Sequence, residues 1–174
     1  FPFQTLYLGG GVVRAVDVIY GGSPSPTKGP GVFVEINDAR QHLQVHGARG
    51  AEGYDMITSM PAHPWIAASL FTREFFEIAR SRLADGGVFS TWFGAPGMDQ
   101  QTVESLLRTF SEVFDYYRVY FVPEAHAFFL VGGRSPLTLP PGRVAEVQEV
   151  LRTAGLWVEP KVEFFLERLV DAGN

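Results

Sequence analysis

Cysteine is absent from this 174-residue chain, which removes disulfides, thiolate metal sites and a thiol nucleophile together. Charge is sparse as well: Asp, Glu, Lys and Arg make up 19% of the residues, and 19 acids against 14 bases leave a formal net charge of −5. That balance excludes a sequence-independent grip on phosphate backbones, so no nucleic-acid partner is expected. No apolar run approaches the roughly 18–20 residues that cross a bilayer, and Phe1-Pro2-Phe3 lacks the positive charge that opens a signal peptide. The chain itself is therefore expected to make no membrane contact and to be cytoplasmic. It also lacks an initiator methionine, so it is expected to be a piece of a longer product, for instance the soluble part of a membrane-attached protein.

Apolar surface, by contrast, is plentiful. Hydrophobic residues are 46% of the chain, with 15 Phe, 6 Tyr and 3 Trp, enough to exclude global disorder and to build one main core. Two β-favouring runs, 5–8 and 12–20, flank Gly9-Gly10-Gly11 and predict a hairpin. Residues 21–31 are Gly, Ser, Pro, Thr, Lys and no more, with three prolines that no central strand tolerates. Strand and helix then alternate: strands over 32–36, 54–60 and 88–93, helices over 38–46 and 66–84, the last stopped by Gly86-Gly87. Asp99 is placed to cap a helix with Val103, Leu106, Leu107, Phe110 and Phe114 on one face. Strands 116–122 and 126–131 predict an antiparallel pair at the sheet edge. Two tail helices follow, the first lined by Val144, Val147 and Leu151, the second opened by Pro160 and lined by Val162, Phe165, Leu166, Leu169 and Val170. The expected division is a hairpin over 1–20, a linker over 21–31, an α/β domain over 32–135 and a helical tail over 136–174. Alternation of this kind favours a largely parallel sheet covered by helices.

Three patterns could carry chemistry. Glycines 9–11 follow a strand and precede Glu35 by about two dozen residues, the outline of a nucleotide-binding turn with a ribose-binding acid. A β-branched run follows them instead of a helix, which favours a hairpin turn and leaves the nucleotide turn as the alternative. His42 and His46 share the i, i+4 spacing of metal ligands, but Leu43 stands where a zinc-protease helix carries Glu and no third ligand is near, so no metal is expected. No serine sits in a nucleophile elbow.

The densest signal is Tyr54-Asp-Met-Ile-Thr-Ser-Met-Pro-Ala-His-Pro-Trp65, followed by Leu70-Phe-Thr-Arg-Glu-Phe-Phe76 and Leu83-Ala-Asp-Gly-Gly-Val-Phe89. With Asp38-Ala39-Arg40 it resembles the spermidine synthase (aminopropyltransferase) family, in the bacterial branch often fused to membrane segments. The resemblance implies a methyltransferase-like (Rossmann-type) α/β sheet, shortened on its cofactor side because only 18–37 remain for a half-site that needs a full βαβ unit. It implies transfer of an aminopropyl group from decarboxylated S-adenosylmethionine to putrescine or a similar amine, a homodimer, and Asp38 and Ala39 beside the adenine. Either Glu35 is a relic of the family's ribose acid in a compressed arrangement, or that unit is missing. It also aligns the family's hairpin with residues 5–17.

Departures from the family qualify that reading. Met60 stands where the family has its catalytic Asp or Glu, and a thioether accepts no proton from an amine. Thr91 and Pro96 replace a pocket Gln and Tyr. His63 is a candidate substitute base, and Trp65 could stack on adenine or a methylene chain. Met60, His63, Trp65, Thr91 and Pro96 thus form the expected substrate site, with catalysis impaired. Two alternatives stay open: an S-adenosylmethionine-dependent methyltransferase of small molecules, and a non-catalytic dimerising module.

Overall fold

A computed structural model describes residues 5–9, 38–45, 53–61, 67–153 and 168–173. Within them a six-stranded sheet has the order β1-β2-β3-β5-β4-β6. Its strands are β1 (Thr5–Gly9), β2 (Tyr54–Met60), β3 (Leu83–Gly94), β4 (Tyr116–Val122), β5 (Ala127–Gly133) and β6 (Leu169–Gly173). β1, β2 and β3 run parallel, whereas β5 pairs antiparallel with both β3 and β4, and β6 pairs antiparallel with β4. The helices are α1 (Ala39–Val45), α2 (Arg73–Ser81), α3 (Gln100–Val113) and α4 (Arg143–Thr153). None of the described helices is long and apolar enough to cross a membrane.

One face of the sheet buries phenylalanine. Phe89 of β3 lies about 6 Å, ring to ring, from Phe75, Phe76 and Phe110, and stacks on Phe114 at 5.6 Å. Those partners come from α2, α3 and the residue that ends α3, so both helices pack on this face through aromatic edges. Gly132 of β5 lies under the Phe114 ring, where a Cβ would sit 2.5 Å from the ring carbon. A side chain there would push Phe114 off the sheet.

The helix starts follow from their caps. Thr72, in extended conformation, accepts a hydrogen bond from the Phe75 amide at 3.2 Å, and Asp99 accepts from the Thr102 amide at 2.7 Å. Arg73 and Glu112 form an ion pair that ties α2 to α3.

Several expectations need correction. The helix expected over 66–84 is a 3-10 turn (Ala68–Leu70) and then α2, because extended Thr72 interrupts the first and caps the second. Gly86 is no helix stop: with φ +77 it sits inside a bulge of β3. There Leu83 pairs with Tyr54 and Val88 with Met56, so four residues of β3 oppose one of β2. The β4–β5 pair is not the sheet edge, since β5 lies inside and β6 covers β4. The tail is not all helical, because Leu169 and Val170 belong to β6. Thr5–Gly9 is no arm of a unit apart, since it pairs residue for residue with 56–60 in the main sheet. The expected second hairpin arm, the 21–31 linker, the 32–36 strand and the helix opened by Pro160 lie outside the described residues.

Replacing Phe89 by Ala removes the ring that four others contact. Equilibrium urea unfolding of Phe89→Ala should show a loss of about 3–5 kcal/mol. A loss under 1 kcal/mol would mean that these rings do not form the core.

Candidate functional site at the carboxyl ends of the parallel strands

The carboxyl ends of β1, β2 and β3 share one edge of the sheet because the three strands are parallel. Ligands of open α/β sheets bind at such an edge, where backbone ends and loops diverge. Gly9 ends β1 directly opposite Met60, which ends β2, a separation of about 4.8 Å between adjacent strands. A glycine run therefore begins at the parallel edge, beside the position expected to carry the family's acid. Gly10, Gly11 and the hairpin arm expected over 12–20 lie outside the described residues.

The other parts of the rim come from four loops or termini. Pro61, buried, follows Met60. After β3 the chain turns at Ala95-Pro96-Gly97-Met98, with the Met98 amide donating to the Ala95 carbonyl at 3.0 Å and Gly97 at φ +82. Proline followed by a positive-φ glycine is the pattern of a type II turn, so exposed Pro96 shapes the loop rather than lining a buried pocket. The tip of the β4–β5 hairpin joins this rim, because the Ala95 amide donates to the His126 carbonyl at 2.8 Å. Asp38 opens α1, accepting from the Gln41 amide at 2.8 Å. The opposite end of α1 is clamped by Arg82, whose guanidinium donates to the Leu43 and Gln44 carbonyls at 2.8 and 2.9 Å. Asp38 thus lies about 10 Å along the helix from the clamp that leads into β3.

Two hydroxyls stand out by their burial. Ser59 is 0% and Thr91 2% exposed, and neither hydroxyl oxygen has a hydrogen-bond partner. They are register partners in β2 and β3. Since Phe89 and Phe93 flank Thr91 at alternate positions and both contact rings above the sheet, the hydroxyls share the face covered by α2 and α3. Each unmade hydrogen bond costs about 1–3 kcal/mol. On the opposite face Met60 and Trp92 occupy neighbouring strands. Trp92 stacks on Phe129 at 6.1 Å with its indole N–H buried and unpartnered.

Electrostatics at the rim are mild. Glu74, fully exposed in the first turn of α2, has its carboxyl held below the usual range by its own backbone amide and then by the Thr72 side chain. Asp99 is likewise lowered, first by the Thr102 amide and then by the Thr102 hydroxyl. Among the described residues no group of three His, Cys, Asp or Glu could hold a metal. His42 lies 3.5 Å from the Tyr54 hydroxyl, while His46 lies outside the described residues. Asp55 sits in the amino-terminal part of β2, beside the bulge and away from the rim.

Of the residues expected at the site, Met60, Thr91 and Pro96 lie on or next to this edge, and Asp38 and Ala39 open α1. Glu35, His63 and Trp65 lie outside the described residues. Sequence reading missed Ser59, which has no motif of its own, and the placement of Gly9. The second did have a signal: an apolar strand running into glycines, with an acid some two dozen residues on.

A family model described as the spermine/spermidine synthase domain matches residues 20–131. A polyamine aminopropyltransferase of Shouchella clausii (strain KSM-K16) is 28% identical over 71% of this chain and 50% of its own length. The chain thus spans about half the length of that curated relative. Among solved structures, the spermidine synthase of Thermotoga maritima superposes with a TM-score of 0.61 at 20% identity, over 96% of this chain and 68% of the other. A spermidine synthase in complex with the transition state analogue AdoDATO gives 0.62 at 19%, over 95% and 68%. Human methyltransferase-like protein 13 in complex with SAH gives 0.60 at 18%, over 93% and 87%. At those identities the structures speak for the fold, which is Rossmann-like.

Both lowered carboxyls stabilise helix starts when ionised. That contribution is complete above the ordinary carboxylate range and disappears as pH falls through the lowered values. Urea midpoints followed from neutral to acid pH should therefore decline, and Asp99→Ala should start lower and decline less. An unchanged acid limb in that variant would show that the cap does not couple to protonation.

Proposed function

Since the chain belongs to the spermine/spermidine synthase family, we propose that it holds an S-adenosyl sulfonium nucleoside across the carboxyl ends of β1 and β2 and belongs to polyamine metabolism. The observation that carries this reading is Gly9 opposite Met60. A strand that runs into glycine at a parallel edge offers backbone N–H groups without a side chain of its own, which suits the close approach of a nucleoside. Asp38 and Ala39, at the start of α1, stand for the adenine side. Gly9, at the end of β1, stands for the start of the cofactor loop.

The donor, decarboxylated S-adenosylmethionine, supplies a carbon made electrophilic by its sulfonium. The chain's own task is to bring an amine to that carbon and to receive the proton that the alkylated nitrogen must lose. At neutral pH the amine is mostly protonated, so a carboxylate at position 60 would both attract it and take the proton. Met60 does neither. Aminopropyl transfer is accordingly slow in this chain, and the amine pocket is weakened more than the nucleoside pocket. A cytoplasmic homodimer is the assembly that goes with this reading.

The methyltransferase reading shares the nucleoside and differs in the donor's tail, so calorimetry separates them. Decarboxylated S-adenosylmethionine should bind more tightly than S-adenosylmethionine; the reverse order would favour methyl transfer, and binding of neither would leave a non-catalytic module. Met60→Glu should raise putrescine affinity about tenfold, the equivalent of about one pKa unit of attraction. Unchanged affinity would remove position 60 from the site.

A further inference from the structure

We infer that Arg82 is a positioning residue for nucleoside binding: its guanidinium fixes where α1 lies, and through α1 it sets the adenine side of the site. The inference rests on the proposed nucleoside site, with Asp38 and Ala39 beside the base, and adds a residue that acts on the ligand from a distance.

Arg82 stands where four elements meet. Its amide ends α2 by donating to the Ala79 and Arg80 carbonyls. Its carbonyl accepts from the Tyr54 amide at 2.8 Å, at the start of β2, and Leu83 begins β3 immediately after it. The guanidinium reaches α1, donating through Nε to the Leu43 carbonyl at 2.8 Å and through Nη2 to the Gln44 carbonyl at 2.9 Å. The backbone of Arg82 thus belongs to the sheet and α2, and its side chain holds α1.

Such a hold is needed because α1 is short. It has seven residues, of which Leu43 is the buried one, whereas a helix that persists by itself needs roughly 12–15. The last four carbonyls of a helix have no partner within it. Arg82 takes two of them with charge-assisted bonds, and its cation lies at the negative end of the helix dipole. Because both bonds come from one planar group, they set the direction of the helix axis as well as the place of its end. Over a lever of about 10 Å, a tilt of about 10° at the clamp would carry Asp38 and Ala39 by about 2 Å. A preorganised binding side tolerates about 0.5 Å.

The test uses the whole chain. The backbone bonds of residue 82 survive substitution, and buried Leu43 and the 3.5 Å approach of His42 to the Tyr54 hydroxyl still attach α1, so the helix is loosened and the fold kept. By calorimetry, Arg82→Ala should bind 5′-methylthioadenosine at least tenfold more weakly than the parent. Its preference for that ligand over 5′-methylthioinosine, which differs at the base edge alone, should fall at least threefold. Arg82→Lys keeps the charge without the fork and should lie between the two; it carries the same comparison if Arg82→Ala does not fold. Amide hydrogen exchange of Arg82→Ala should quicken at least tenfold over Ala39–Val45 and stay level over residues 88–93 of β3. Unchanged affinity, or unchanged exchange in α1, would overturn the inference. So would an equal loss for both nucleosides, which marks a general loss of stability rather than a misplaced base side. The failures are separable: a parent that binds neither nucleoside sinks the proposed site and the inference with it, while a parent that binds and variants that bind equally well sink the role of Arg82 alone.

Discussion

The parallel ladder between β2 and β3 is the constraint on which the site depends. It sets Ile57 beside Phe89 and Ser59 beside Thr91, and the first pair fixes the second. Ile57 and Phe89 are both 0% exposed beneath helices that α2 and α3 contribute, and a slip by one residue would turn every buried side chain to the other face. Burial of phenylalanine near the middle of the strands therefore decides which atoms meet at their carboxyl ends. The same ladder carries the register on to β1, so Gly9 faces Met60 for reasons that lie in the aromatic core.

Position 60 then separates scaffold from chemistry. A carboxylate there would be an ionisable group beside a largely apolar layer, held in place by its task. A methionine packs at the same backbone position without needing solvent or a counter-ion. The fold is shared with spermidine synthases and with a methyltransferase-like protein, while position 60 carries a thioether.

Much of the scaffold could be read from the residues. β2 has the expected bounds, and Asp99 caps α3 as its position implied, because a short polar side chain before an amphipathic run is a local signal. What failed was non-local. The partner of Thr5–Gly9 is 51 residues away in sequence at every register pair, and nothing within the segment announces it. Leu169 and Val170 suit a helical stripe and an edge strand equally, and pairing with β4 decides between them. At the site, Met60 and Thr91 were reached by resemblance. Ser59 is visible only through its burial, since a serine in a strand has the same sequence signature whether its hydroxyl is bonded or orphaned.

The bulge in β3 has one more consequence. Ala84, Asp85, Gly86 and Gly87 lie between two ladder contacts, and Gly86 adopts a conformation that strands otherwise avoid. The upstream end of the strand follows α2 and the Arg82 clamp, while the downstream end follows the phenylalanine layer. The bulge packs closely on the start of β2, since a Cβ on Gly87 would lie 2.6 Å from the Tyr54 carbonyl oxygen. A side chain at position 87 would thus press on the first residue of β2, whereas one at position 86 would meet open space and be opposed by its positive φ alone.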